Sequence, residues 1–402
     1  MCKGRRMTAI GSALKQRALL KIFSHIQYGQ LTLTLPDGSS HSFTGKQAGP
    51  TADMHLINDT AINRMVNDGK MGFCEAFMLG EVDSSNLTSL IELAVQHDSY
   101  LEQQLKLGAI QKLWLKFQHW RNQNNESGSR RNISYHYDLG NQFYSTWLDQ
   151  TMTYSSAVFQ SAEDTLEDAQ TRKYRKLAEL ADIQPGDRVL EIGCGWGGFA
   201  EYAAREHGAH VTGITISQEQ YDFATKRLQN AGLNDKTEVQ MLDYRKLDQR
   251  FDKIVSIEMF EAVGEEYWPV YFRTLANCLK QGGKAALQVI TMDHKAFLEY
   301  RTQPDFIQKY IFPGGMLPSV EALDKPLETA GLSLEFHQGY GQDYARTLAE
   351  WKVRFINAWP ELGRTPKFDE RFRRMWELYL SYCEGGFKAG MIDVKQMLIT
   401  HK

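Results

Sequence analysis

The chain has 402 residues, 42% of them hydrophobic and 24% charged, with a net charge of −3. That length exceeds one average domain, so two are expected. The near-neutral charge makes no global case for nucleic-acid binding. The five cysteines (Cys2, Cys74, Cys194, Cys278, Cys383) are scattered without a C-x-x-C pair. This argues against a disulfide framework or a metal site and fits a reducing compartment. No apolar run approaches the ~20 residues of a membrane-crossing helix. The basic N-terminus lacks the apolar stretch of a signal peptide. The expected location is cytoplasmic, with any lipid work done peripherally, at the membrane's inner face.

In chain order, residues 1–105 read as a small α+β domain. Leu31–Leu35 alternates with period two, Pro36-Asp37-Gly38 signals a turn, and Ser42-Phe43-Thr44 resumes the strand, which predicts a hairpin. Helical periodicity runs through Leu87, Leu90, Ile91, Leu93 and Ala94. Residues 106–131 form a connection centred on the polar stretch from Asn122 to Ser129. Residues 132–402 then alternate strands and helices, which predicts an α/β, doubly wound parallel sheet. Strand one is placed at 188–192, strand two at 210–216, strand three at 237–241, strand four at 251–257 and strand five at 283–290, the last behind a Gly282-Gly283 turn. A helix is expected over 265–279.

The run from Val189 to Phe199 carries the chemistry. An apolar strand ends near Glu191 and enters a glycine-rich turn at the sheet's carboxyl edge, where doubly wound folds bind ligands. Glycine permits positive φ and a close approach to a ligand. The spacing G-x-G-x-G-G is not that of dinucleotide sites. It matches the first motif of S-adenosylmethionine (SAM) methyltransferases, in which Gly193, Gly195 and Gly197 wrap the cofactor's amino-acid end. The place usually held by an acid for the ribose hydroxyls holds Thr215, with Gln220 one turn on. Asp243 and Tyr244 follow strand three, where adenine recognition usually sits. Cys194 in the turn reads as structural, because nothing nearby favours a thiolate.

Several segments together resemble the bacterial cyclopropane fatty acid synthases and mycolic acid cyclopropane synthases. They are Tyr135-His136-Tyr137-Asp138, Tyr154-Ser155, Thr165-Leu166-Glu167 with Ala169-Gln170, the glycine turn, Thr215-Ile216-Ser217, Glu258-Met259-Phe260-Glu261, Ile311-Phe312-Pro313-Gly314-Gly315, and Asp343-Tyr344 with Thr347-Leu348. The resemblance spans roughly residues 130–402 and, more weakly, the N-terminal domain, which in the family has been likened to lipid-holding folds. It implies SAM as donor, unsaturated acyl chains of membrane phospholipids as acceptor, and a homodimer. It also implies cofactor contacts from Tyr154, Ser155, Glu191 and Ser256.

An alkene attacks a sulfonium methyl only when the two are aligned and dry. The attack leaves a carbocation that aromatic faces can stabilise; Tyr137, Phe260, Tyr310 and Tyr344 are candidates. A base must then take a proton. Loss from the new methyl closes a cyclopropane, whereas loss from elsewhere, or after a hydride shift, gives a methyl-branched or methylene chain. The family's base is thought to be a bicarbonate held by a cysteine, a glutamate, a histidine and a tyrosine. Glu261 and Tyr344 match the last glutamate and tyrosine. Ser156 stands at the cysteine position, Gln288 at the histidine position, and Glu258 where the family has glycine. A second carboxylate repels an anion, so bicarbonate loses its setting. The expectation is that Glu258 serves as the base, with Glu261 and Tyr344 positioning it. The primary functional reading is a cyclopropane-fatty-acyl-phospholipid synthase type of enzyme. The alternative is a C-methyltransferase that leaves the chain open.

Membrane engagement has two local candidates. Residues 3–21 hold Lys3, Arg5, Arg6, Lys15, Arg17 and Lys21 without an acid, and residues 112–121 hold Lys112, Trp114, Lys116, Trp120 and Arg121. Both fit either an interfacial helix or a helix packed on the core. Arg371, Phe372, Arg373 and Arg374 could meet lipid phosphates or form a solvated helix face.

Overall fold

The computed structural model describes residues 14–98 and 139–402. Among these, one compact unit gathers 14–98 with 356–391, and a second gathers 139–355 with 392–402. The 106–131 connection, the Tyr135–Asp138 motif with Tyr137, and most of both basic stretches lie outside the described residues.

The second unit is built on a seven-stranded sheet in the order β10-β11-β9-β8-β5-β6-β7. Its strands are β5 (Arg188–Ile192), β6 (His210–Thr215), β7 (Thr237–Met241), β8 (Phe251–Ile257), β9 (Leu279–Met292), β10 (Leu332–Gly339) and β11 (Ile392–His401). The five from β5 to β9 are parallel, and β11 lies antiparallel between β9 and β10. The central strands are apolar on both sides, because helices cover both faces. One face packs Leu190, Ile254, Leu275 and Leu287, and the other Val189, Val255, Leu177 and Phe199. This is the doubly wound α/β fold that the strand–helix alternation predicts.

Helix α3 (Leu166–Ala181) starts at Thr165, whose side chain accepts from the Asp168 N–H, a cap that satisfies an otherwise orphaned donor. Helices α4 (Gly198–Glu206) and α5 (Gln218–Asn230) follow β5 and β6, and Ser217 caps α5 through the Gln220 N–H. The helix expected over 265–279 begins as a 3-10 turn at Glu265–Tyr267 and becomes α6 (Trp268–Cys278), with proline in its first turn. Strand β9 starts four residues before the predicted 283. Its pairing with β8 shifts register between Phe251 and Lys253, and Gly282 takes φ +74° there. The expected glycine turn is therefore a bulge within a longer strand. Helix α8 (Gly341–Leu362) carries Tyr344 and Trp351 in its first half, taking α7 as Val320–Thr329.

The first unit has a four-stranded sheet in the order β2-β1-β3-β4: β1 (Tyr28–Thr34), β2 (Ser40–Thr44), β3 (Gln47–Leu56) and β4 (Val82–Asp83). β1 and β2 form the predicted hairpin, with Leu31 opposite Phe43. Helix α1 (Asp59–Met78) kinks at Gly69, and α2 (Leu87–Gln96) buries Leu87, Leu90, Ile91 and Leu93. Helix α9 (Glu370–Lys388) belongs to this unit. Arg374 donates to the carbonyls of Phe77 (2.5 Å) and Val82 (2.6 Å), and the Thr88 hydroxyl donates to Glu384 (2.7 Å). Residues 356–391, expected within a catalytic domain of 132–402, thus pack with the N-terminal elements instead.

Two membrane candidates are narrowed here. Arg374 is buried on those carbonyls, and Arg373 is paired with Glu370 and Glu377, so of the three arginines in this run Arg371 is the exposed one. In the helix over 14–23 and the residues after it, Leu19, Phe23 and Ile26 are buried while Leu14 is 61% exposed, so part of the apolar side packs on the core.

Candidate active site

The three glycines of the turn all take positive φ: +80° at Gly193, +51° at Gly195 and +81° at Gly197. Their reasons differ. A Cβ on Gly193 would stand 2.7 Å from Met259 Cγ, and one on Gly197 3.1 Å from Ala224 Cβ. A Cβ on Gly195 would meet nothing within 4 Å, so the middle glycine borders open space. Beside it, Glu191 is buried and its Oε2 has no hydrogen-bond partner among the described residues. Burial pushes the Glu191 carboxyl up to about 8, opposed by the Lys173 charge and the Ala200 N–H. An open cradle with an orphaned acceptor suits the ammonium end of an amino acid, so the residues present fit SAM. Burial raises the Cys194 thiol well above its usual range, aided by Glu191, which agrees with a structural role.

The other residues expected around the cofactor line the carboxyl ends of the strands. Thr215 Oγ1 donates to Gln220 Oε1 at 2.9 Å and accepts from the Ser217 N–H at 3.1 Å. Asp243 is engaged by Arg245, through Nε at 2.9 Å and Nη2 at 2.6 Å. Although burial opposes it, this partner holds the Asp243 carboxyl below the usual range. Tyr244 packs edge-on against Tyr271 at 5.4 Å. Ser256 Oγ donates to the Ile192 carbonyl at 3.1 Å and so braces the base of the glycine turn. Tyr154 sits in an aromatic nest of Tyr144, Trp147 and Trp351, with ring centres 5.4–5.5 Å away.

A buried cluster of polar side chains centres on Glu258, just past the end of β8. Its backbone has φ +49°, a left-handed conformation that disfavours side chains other than those of Gly, Asn and Asp. Oε1 accepts from the Ser156 N–H and from Gln288 Nε2, both at 2.8 Å, and Oε2 accepts from the Tyr344 hydroxyl at 2.5 Å. Gln288 stands on β9, in register with Ile257 at the end of β8 on one side and with Gln396 of β11 on the other. The Gln396 amide donates to Gln288 Oε1 at 3.0 Å, which turns the Gln288 NH₂ toward Glu258. Burial raises the Glu258 carboxyl above the usual range, while Tyr344, Gln288, Ser156 and the Lys173 charge pull the other way.

Some expectations change in detail. Ser156 acts through its backbone N–H; its hydroxyl turns away to the Ala157 carbonyl at 2.9 Å. Glu261 makes no hydrogen bond to Glu258. Its Oε1 accepts from the Ile290 N–H at 2.5 Å, its Oε2 is buried without a partner among the described residues, and burial plus the Glu258 charge push its carboxyl up to about 8. Two buried carboxylates this close repel each other, so each disfavours ionisation of the other and Glu261 does not position a Glu258 anion. Phe260 packs against Trp268, Tyr271 and Phe272 in the core, and Tyr310 against Phe306. Of the described aromatics proposed to face a cation, Tyr344 is the one joined to the Glu258 carboxylate.

Three further residues were not singled out as site residues from sequence. Gln170 Nε2 donates to the Ser155 carbonyl at 2.9 Å and Lys173 Nζ to Ser155 Oγ at 2.6 Å, and Gln396 is described above. The signal was present for the α3 pair: Gln170 and Lys173 are polar residues on the buried stripe of an amphipathic helix, one turn apart.

Residues 124–397 match the family described as mycolic acid cyclopropane synthetase. The chain is 37% identical to tuberculostearic acid methyltransferase UfaA1 of Mycobacterium tuberculosis, over 98% of this chain and 93% of the relative. It is 35% identical to the cyclopropane-fatty-acyl-phospholipid synthase of Escherichia coli strain K12, over 87% of this chain and 88% of the relative. The crystal structure of mycolic acid cyclopropane synthase CmaA1 complexed with SAH and CTAB superposes with a TM-score of 0.63 at 29% identity, covering 68% of this chain and 98% of that one. The chain therefore belongs to the mycolic acid cyclopropane synthetase family and is a SAM-dependent methyltransferase acting on lipids.

Proposed function

We propose that the protein adds a SAM-derived carbon to the cis double bond of unsaturated fatty acyl chains in membrane phospholipids, and that the Glu258 carboxylate is the base that completes the reaction. One observation carries this reading. Three donors converge on a carboxylate that grows from a left-handed backbone position. Such backbone strain clusters at functional sites.

SAM supplies an electrophilic methyl group. The chain's own residues do the rest. The glycine turn and Glu191 orient the amino-acid end, and the aromatic nest around Tyr154 keeps water out, which an alkene nucleophile requires. Methyl transfer leaves a cation on the acyl chain. The Glu258 carboxylate then accepts a proton from a carbon beside that cation, and the C–H electron pair forms the new bond. The raised affinity of Glu258 for a proton suits it to this step. The Tyr344, Gln288 and Ser156 donors favour the anion and offset part of the rise that burial causes.

The second reading, ring closure, is favoured by the Escherichia coli relative's name. The open-chain product is favoured by the tuberculostearic acid methyltransferase, which matches nearly the whole length. A carboxylate fixed on the β8 end also differs from an anion free to sit over the new methyl group. We adopt the open-chain product. The enzyme works peripherally on the bilayer, as a homodimer; among the described residues no helix is long and apolar enough to cross a membrane.

Glu258→Gln tests the base. The amide keeps the shape but cannot accept the proton. Turnover on dioleoyl-phospholipid vesicles should fall by roughly 10²–10⁴-fold, with SAH affinity unchanged by calorimetry. Full turnover would remove Glu258 from the mechanism.

A further inference from the structure

Helix α3 turns a group of buried polar side chains toward a single loop. Gln170 holds the Ser155 carbonyl and Lys173 the Ser155 hydroxyl, while the Tyr174 hydroxyl shares a hydrogen bond with Thr153 Oγ1 at 2.6 Å. Neither Gln170 nor Lys173 has exposed surface. A lysine is almost never fully buried unless it is paired. Here its one hydrogen bond among the described residues goes to a neutral serine, and its Nζ lies 4.4 Å from the Tyr174 ring centre. The charges that act on it are the carboxylates of Glu258, Asp149 and Glu191. Burial pulls the ammonium down to about 7 while those three carboxylates hold it up. A structural tether to Ser155 needs no charge; any neutral donor would serve.

The arrangement makes sense around a zwitterion. A serine hydroxyl has one hydrogen to give and two lone pairs. With Lys173 donating to the oxygen, the hydrogen is left for an acceptor. Close by, Glu191 Oε2 is buried with no donor. One face of the site thus offers a donor backed by positive charge and the other a bare acceptor, the two halves of an amino-acid recognition site.

We infer that Lys173 is a positioning residue for SAM, orienting the Ser155 hydroxyl toward the cofactor's carboxylate and supplying the positive charge behind it. This holds whatever the role of Glu258.

The test uses the full chain and two probes, followed by calorimetry. S-adenosylhomocysteine carries the amino-acid end; 5′-deoxy-5′-methylthioadenosine lacks it. Lys173→Met should weaken S-adenosylhomocysteine on the order of tenfold, the worth of one charge-assisted hydrogen bond, and leave methylthioadenosine within about twofold. Lys173→Arg, which keeps charge and donor, should restore part of the loss. Unchanged S-adenosylhomocysteine affinity, or equal losses for both probes, would overturn the inference and leave a structural lysine. If the methionine variant does not fold, lysine-selective NMR on the unsubstituted protein decides. S-adenosylhomocysteine should raise the Lys173 titration midpoint and methylthioadenosine should not; the same midpoint with both ligands would overturn it.

Discussion

At Glu258 the backbone and the side chain make opposite demands. The left-handed φ costs about 1–2 kcal/mol for a residue with a Cβ, while three donors reward a carboxylate there. The donors set the pH behaviour. A base must be ionised, and burial raises the Glu258 carboxyl. Activity therefore climbs with pH through a midpoint above the ordinary glutamate range. A pH profile of kcat/KM checks this; an acid limb at or below pH 4.5 would contradict it. Tyr344→Phe removes a donor that favours the anion, so the limb should move further up. Turnover near pH 7 should drop by about 10–100-fold, the worth of one hydrogen bond to a charged group. A Tyr344→Phe enzyme with an unshifted limb would separate the tyrosine from the base. Much of this centre was legible in the sequence. Glu258 stood out because a glutamate occupies a glycine position, and Tyr344 by its motif. What could not be read was which atom of each residue works. Ser156 contributes a backbone N–H, and Glu261 turns to the Ile290 amide; both depend on how two separate loops meet.

The glycine turn and its strands show what element-scale patterning does and does not reveal. Strand β5 and the turn follow from an apolar run ending in glycines, and β7 and β8 begin and end where alternation places them. The bulge in β9 was not legible, because an extra residue in one strand depends on its partner's register. Nor was the motif able to say which glycine serves packing and which serves the ligand. The geometry separates them. Gly193→Ala forces a left-handed alanine against Met259 and should cost about 2 kcal/mol or more in unfolding free energy. Gly195→Ala meets open space, so beyond the cost of its φ it should chiefly lower SAH affinity. Thermal unfolding and calorimetry on the two variants check the contrast; equal profiles would mean that the turn does not divide its labour. Helix α9 was misassigned to the catalytic domain for a related reason. Its link to α1, α2 and β4 runs through Arg374, which reads in sequence as part of a charge run, and through Glu384, which sequence reasoning did not single out.

On the scale of the whole molecule, a doubly wound sheet brings loops from the ends of β5, β6, β7, β8 and β9 to one edge. The residues proposed to hold the cofactor, from the first four strands, and the Glu258–Gln288–Tyr344 cluster meet there because strand order, not chain order, decides neighbours. Product choice is a property of this assembly, since the position of the base relative to the reacting carbons decides which proton leaves. The direct measurement is NMR and mass spectrometry of the product from purified enzyme, dioleoyl-phospholipid vesicles and SAM deuterated at its methyl group. With Glu258 as the base, the account predicts an open acyl chain that gains one labelled carbon and keeps one olefinic bond. It is either a methyl branch with all the deuterium or a methylene group lacking one deuteron. A saturated three-membered ring with no olefinic carbon would contradict it and return the enzyme to the ring-forming side of its family.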